Sequence, residues 1–153
     1  MRKIREMLNY DRCVENRKEW INKQLSDIPK GKRILDAGAG MQPYKSMCKH
    51  LEYISQDFCQ YAGGSGRGLQ DSIFDTSKID IVSDIANIPV ESESFDVVLC
   101  TEVLEHVIHP DAVVAELSRI LRGGGGLSLR PHLQVFLTWI HIIIVVDLIS
   151  IGI

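Results

Sequence analysis

The sequence has no C-x-x-C pair, and its four cysteines (Cys13, Cys48, Cys59 and Cys100) have no histidine beside them at metal-ligand spacing. That excludes a zinc ribbon and a disulfide framework, and no metal site is expected. The cysteines read instead as the free thiols of a cytoplasmic protein. The amino terminus, MRKIREMLNYDR, has basic residues but no apolar stretch behind them, so no secretory signal is read there. A basic excess is lacking too. Seventeen Lys and Arg against 20 Asp and Glu give a net charge of −3, which argues against a dedicated nucleic-acid binder. No internal repeat is present. With 45% hydrophobic and 24% charged residues in 153, the chain is ordinary globular protein with room for one core.

What charge there is lies unevenly. Residues 1–33 hold ten of the 17 basic side chains and five of the 20 acidic ones. We read this basic segment as a solvated helix face. Ile4, Met7 and Leu8, then Trp20, Ile21 and Leu25, recur at helical spacing and predict one or two amphipathic helices in an N-terminal arm, residues 1–30. Pro29-Lys30-Gly31 ends them. A core follows over 31–130. Strands are expected at 32–37 (KRILDA), 52–58 (EYISQDF), 79–85 (IDIVSDI), 95–101 (FDVVLCT) and 127–129, with helices at 43–51 and 111–121 and a glycine-rich loop at 60–72. Strands alternating with helices give an α/β fold with a doubly wound, mostly parallel sheet.

Ile34-Leu35-Asp36-Ala37-Gly38-Ala39-Gly40 carries the most information. A strand running into a glycine turn brings backbone close to a ligand and aims free N–H groups at it. The dinucleotide fingerprint wants a third glycine where Pro43 stands, which disfavours a nicotinamide oxidoreductase. No G-K-[ST] follows, so a Walker-type phosphate loop is excluded. Asp36 would repel a phosphate there and welcome an ammonium or sulfonium group. Asp57, nineteen residues after Gly38, ends the second strand, where a carboxylate can accept ribose hydroxyls. Asp84 ends the third strand, placed to accept from an adenine amino group while Ile85 packs beside the ring. Three acids at the carboxyl ends of three successive strands mark the edge at which open α/β sheets bind ligands.

ILDAGAG, then QDF, then DIVSDIANIPVESESFDVVLCTEVLEHVIHP, then ELSRILRGGGG, resemble the ordered motifs of class I S-adenosylmethionine-dependent methyltransferases of the type 11 kind. The resemblance runs from about Gly31 to Leu129. It implies a Rossmann-like methyltransferase sheet with S-adenosyl-L-methionine as cofactor and a small-molecule acceptor. It also implies that Gly38 and Gly40 line the methionine part of the cofactor with Asp36 near its amino group. Asp57 would hold the ribose, Asp84 and Ile85 would contact adenine, and Thr101 would sit beside the cofactor. Methyl transfer is mainly a matter of alignment and water exclusion, with a base needed only when the acceptor must lose a proton. His106, after the fourth strand, is the candidate catalytic base; a structural histidine is the other reading. Tyr10 and Trp20 read as packing residues rather than as a lid over the acceptor.

The resemblance departs from its pattern at Arg122, which is followed by four glycines rather than Pro-Gly-Gly, and it stops after Leu129. Residues 131–153 are strongly apolar, with Asp147 as the only charge after Arg130. A membrane span of about twenty residues is one reading of that length, with Asp147 and His141 against it. The expectation favoured here is a tail translated out of frame, in a chain truncated of its last strands. The fifth strand would then be an exposed edge through which two copies could pair. A cofactor-binding remnant without catalytic activity is the alternative to an active enzyme.

Overall fold

A computed structural model describes residues 15–60 and 75–123. The glycine-rich loop, the fifth strand, the apolar tail and the pairing edge expected there lie outside the described residues, as does Tyr10. Four strands form the sheet: β1 (Arg33–Ala37), β2 (Glu52–Asp57), β3 (Ile81–Val82) and β4 (Val97–Cys100). All pair in parallel, in the order β3-β2-β1-β4. The order reverses between β1 and β4, the arrangement that opens a crevice at the carboxyl ends of the strands. Helix α1 covers residues 15–26 and α2 spans Pro110–Ile120.

Side chains alternate across the strands and divide the core in two. Leu35, Ala37, Val98 and Cys100 meet Val113, Leu117 and Ile120 of α2 on one face, together with Ile85 and Phe95. Ile34, Val97 and Leu99 meet Ile21, Leu25 and Ile28 on the other, with Tyr44 and Cys48. β1 and β4 are covered on both faces, so RILDA and VVLC read as apolar runs instead of alternating. The first helix is thus a core element: its Ile21 and Leu25, with Ile28 just after it, are buried against the sheet, whereas Trp20 is 39% exposed. Among the described residues no helix is long and apolar enough to cross a membrane.

Two expected elements are shorter than their patterns suggest. The helix at 43–51 is only a 3-10 turn, Lys45–Met47, with bonds from the Met47, Cys48 and Leu51 N–H groups to carbonyls three residues back. The glycine turn runs as far as Gln42 and Glu52 already starts β2, and the segment between them is held by these three-residue bonds rather than by the four-residue bonds of an α-helix. The third strand pairs over two residues rather than seven, because side chains take over part of the ladder at both ends, although the Ser83 N–H still donates to the Asp57 carbonyl at 3.1 Å. Asp80 accepts from the Ser55 N–H (2.9 Å) and hydroxyl (2.6 Å) before it. Beyond it, Gln56 claims the Ser83 carbonyl.

α2 begins with Pro110 at a first-turn position and Asp111 beside it, and carries Arg119 in its last turn, as capping and dipole rules favour. Arg119 also fastens the loop before β4. Its Nη1 and Nη2 donate to the carbonyls of Val90 (2.9 Å) and Ile88 (3.1 Å), and Nε and Nη2 hold Glu116, each at 2.8 Å. Glu116 in turn accepts the Ile88 N–H at 2.7 Å. Arg119→Ala is expected to lower unfolding free energy by about 2 kcal/mol in a denaturant melt. Arg119→Lys should recover only part, since an ammonium cannot span the fork.

Candidate functional site

The carboxyl edge gathers its features from three loops. After β1 the chain turns through Gly38 (φ +73°), Ala39 and Gly40 (φ +51°). Left-handed backbone is required at Gly38, and space is too: a Cβ there would lie 2.3 Å from Cγ2 of Val103, which follows β4. Three non-glycine residues also hold left-handed backbone at this edge: Gln42 (φ +57°) after β1, Cys59 (φ +55°) after β2 and Glu102 (φ +54°) after β4. Backbone strain of this kind persists where surrounding structure enforces it, and it clusters at ligand sites.

The turn does not offer free N–H groups, contrary to the sequence expectation. Gly38 and Ala39 both donate to the Gln56 carbonyl at 2.9 Å, and Gly40 donates to Asp57 Oδ2 at 2.9 Å. Gln42 strengthens the tie by donating through Nε2 to the Ser55 hydroxyl (2.9 Å) and the Lys78 carbonyl (2.8 Å). β2 therefore carries the turn, and the donors that would cradle a phosphate have acceptors already. What suits this edge is a ligand bearing positive charge and hydroxyl groups.

The expected acids occupy different depths. Asp57, 6% exposed at the end of β2, accepts from Gly40 through Oδ2 and from Cys59 through Oδ1 at 2.8 Å, leaving lone pairs on both oxygens. Asp84 is exposed and closes a local turn by accepting the Ala86 N–H at 2.9 Å. Asp36 lies beneath the turn at 1% exposure, on the face covered by α1, and accepts the Tyr53 hydroxyl at 2.5 Å. Burial pushes its carboxyl up to about 6, with the Tyr53 bond opposing and the charge of Asp57 adding. Burial and the Asp36 charge push the Tyr53 phenol up in turn, and burial takes the Cys48 thiol to about 12.

Ile85 is 7% exposed and packs in the α2-side core, so its side chain is engaged below the edge rather than standing on it. Thr101, half-buried after β4, meets the Tyr44 side chain in a hydrogen bond. His106 ends a 3-10 turn, Leu104–His106, and is exposed on the β4 side of the edge. Among the described residues no cluster of His, Cys, Asp or Glu could hold a metal ion.

Two contributors have no role in the sequence reading, although the second lies within QDF. Arg17, its side chain 13% exposed, pairs with Glu102 and so brings a guanidinium from α1 to the loop beside Gly38. It stands four residues before Ile21 on the stripe that continues through Leu25 and Ile28, a spacing that could have placed it on the inner face. Gln56, fully buried, stands next to Asp57 in a strand whose pattern gives it no special role.

A family model described as a methyltransferase domain matches residues 35–129. The ubiquinone biosynthesis O-methyltransferase of Xanthomonas oryzae pv. oryzae is 39% identical over 103 residues, covering 65% of this chain and 42% of that protein. The protein of the same name from Hahella chejuensis is 33% identical over 101 residues, covering 63% and 42%. The chain thus spans about two fifths of the length of these curated relatives. Among solved structures, the YcgJ protein of Bacillus subtilis shares the fold, with a TM-score of 0.51 at 19% identity over 70% of this chain and 46% of that one. The family match extends from β1 through α2, the stretch that builds the edge, and on that ground the chain belongs to the methyltransferase domain family.

Proposed function

We propose that this chain is an S-adenosylmethionine-dependent methyltransferase acting on a hydroxyl oxygen of a small molecule. The observation that carries the cofactor reading is the Asp57–Gly40 tie. The turn's N–H groups are matched internally, while a nearly buried carboxylate at the end of β2 keeps lone pairs for ligand hydroxyls. An edge of acids and satisfied donors fits a cationic nucleoside better than a nucleotide. The oxygen acceptor rests on the name borne by the relatives from Xanthomonas and Hahella.

In this reading Asp57 accepts the ribose hydroxyls and the exposed Asp84 accepts from the adenine amino group. Ile85 supports that loop from the core and meets the ligand through its backbone. Gly38 and Gly40 let the chain pass close to the methionine part, and Asp36 supplies negative charge beneath its ammonium. Arg17 stands where a ligand carboxylate can share it with Glu102. Thr101 fixes Tyr44 beside the cofactor, and His106 is the base for an acceptor that must lose its proton. The cofactor supplies a methyl carbon made electrophilic by a positive sulfur; the protein's part is alignment and exclusion of water.

Calorimetric titration of the 153-residue chain with S-adenosylmethionine and S-adenosylhomocysteine tests this. Saturable binding is expected, and Asp57→Ala should weaken it at least a hundredfold, since it removes the hydroxyl acceptor and the Gly40 tie together. A folded wild-type sample that binds neither ligand would overturn the reading.

A further inference from the structure

Gln56 is the one fully buried residue with a side-chain amide among the described core, and its position is unusual. Its Nε2 donates to the Ser83 carbonyl at 2.7 Å and reaches the Ser83 hydroxyl at 3.3 Å. A carbonyl can only accept, so this end must be the NH2 group, and the opposite oxygen is left to face a donor. It does: the Gly38 N–H lies 3.3 Å from Oε1, in addition to its 2.9 Å bond to the Gln56 carbonyl. One side chain thus spans from the glycine turn after β1 to the residue just before Asp84. β3 is only two residues long, and beyond it one backbone bond, from the Ser83 N–H to the Asp57 carbonyl at 3.1 Å, holds that second loop to β2; the Gln56 side chain carries the tie on to the glycine turn.

We infer that Gln56 is a positioning residue that sets the distance between the glycine turn and the Asp84 loop, and through it the affinity for ligands that touch both. The inference rests on the cofactor reading above, in which the methionine part lies at one loop and adenine at the other. Joining two weakly held halves of a ligand gains affinity only if the protein keeps both subsites at the spacing the ligand has. A ligand confined to one loop is indifferent to that spacing.

The test compares S-adenosylhomocysteine, which spans both loops, with adenine, which meets the Asp84 loop alone. In Gln56→Leu the dissociation constant for S-adenosylhomocysteine should rise at least tenfold, and that for adenine should stay within threefold. Equal losses for both ligands, or no loss in a variant that merely melts earlier, overturn the inference. Gln56→Glu keeps the shape and guards against a folding failure in the leucine variant. Its carboxyl can donate to Ser83 only when protonated. Affinity relative to wild type should therefore be low at pH 8 and recover toward pH 5; a pH-independent ratio overturns the inference.

If the wild-type chain binds no S-adenosylhomocysteine, the cofactor reading has failed, and the bridge is then judged without ligand. In Gln56→Glu, the amide NMR signals of Gly38 and Ser83 should titrate with one shared midpoint. Independent behaviour of the two would show that the side chain does not couple the loops.

Discussion

Gly38→Ala should be strongly damaging although it adds a single methyl group. Two costs combine at that position. Left-handed backbone costs an alanine about 1 kcal/mol, and the new Cβ would meet Val103 Cγ2 at 2.3 Å, a branched side chain with little room to swing. Over-packing of that kind typically costs about 1–3 kcal/mol. The expected loss is about 3 kcal/mol in a urea melt, with S-adenosylhomocysteine binding lost as Val103 and the turn are driven apart. Gly31 provides the control. It has a φ of +82° but nothing within 4 Å of the place a Cβ would take, so Gly31→Ala should cost only the backbone share, about 1 kcal/mol. Equal destabilisation by the two substitutions would mean that the contact with Val103 is relieved cheaply.

The second large effect runs in the stabilising direction. The Asp36 carboxyl is raised to about 6 in the fold from 3.8, so the folded protein holds a proton there that the unfolded chain gives up. The stability associated with that proton is complete below about pH 4 and is lost as pH rises through about 6. Asp36→Asn removes the penalty while keeping an oxygen for the Tyr53 hydroxyl. The variant should match wild type near pH 3.5 and exceed it by about 2–3 kcal/mol at pH 8, roughly two pH units' worth of free energy. Asp80, Asp96 and Glu116 are lowered in the fold and lose their stabilisation as pH falls, so only the difference between the variant and wild type isolates Asp36. The same substitution should weaken binding of a cationic ligand, a trade of activity for stability. A variant no more stable than wild type at pH 8 would show that the Tyr53 bond offsets burial in full.

The parallel sheet is legible in RILDA and VVLC because strands buried on both faces announce themselves as apolar runs, whereas β2 ends in the polar Ser55, Gln56 and Asp57. α2 is equally plain, with Pro110, Asp111 and the spacing of Val113, Leu117 and Ile120 in agreement. The shortened elements around β3 have one cause: side chains replace backbone. Asp80 and Gln56 stand in for ladder bonds there, and no periodicity encodes that substitution. At the site, the order of Asp36, Asp57 and Asp84 along the strands is legible, but their depth is not. One residue's difference in strand position separates the buried Asp36 from the turn above it. Ile85 departs from its expected place on the edge for a related reason, since an isoleucine next to an apolar core sinks into it. Arg17 belongs to a helix whose inner face is visible in the spacing but whose reach over β4 depends on how the helix packs.

The internal matching of the Gly38, Ala39 and Gly40 N–H groups bears on how fast a ligand is captured. Ordering of this loop is completed when the chain folds, because its partners are Gln56 and Asp57 of β2. Encounter then needs no slow rearrangement of the loop, and association becomes a single step governed by diffusion and long-range attraction. For a cation approaching carboxylates, that attraction weakens as salt is added. Ionic strength would therefore act mainly on the rate of arrival, with the rate of departure left to short-range contacts.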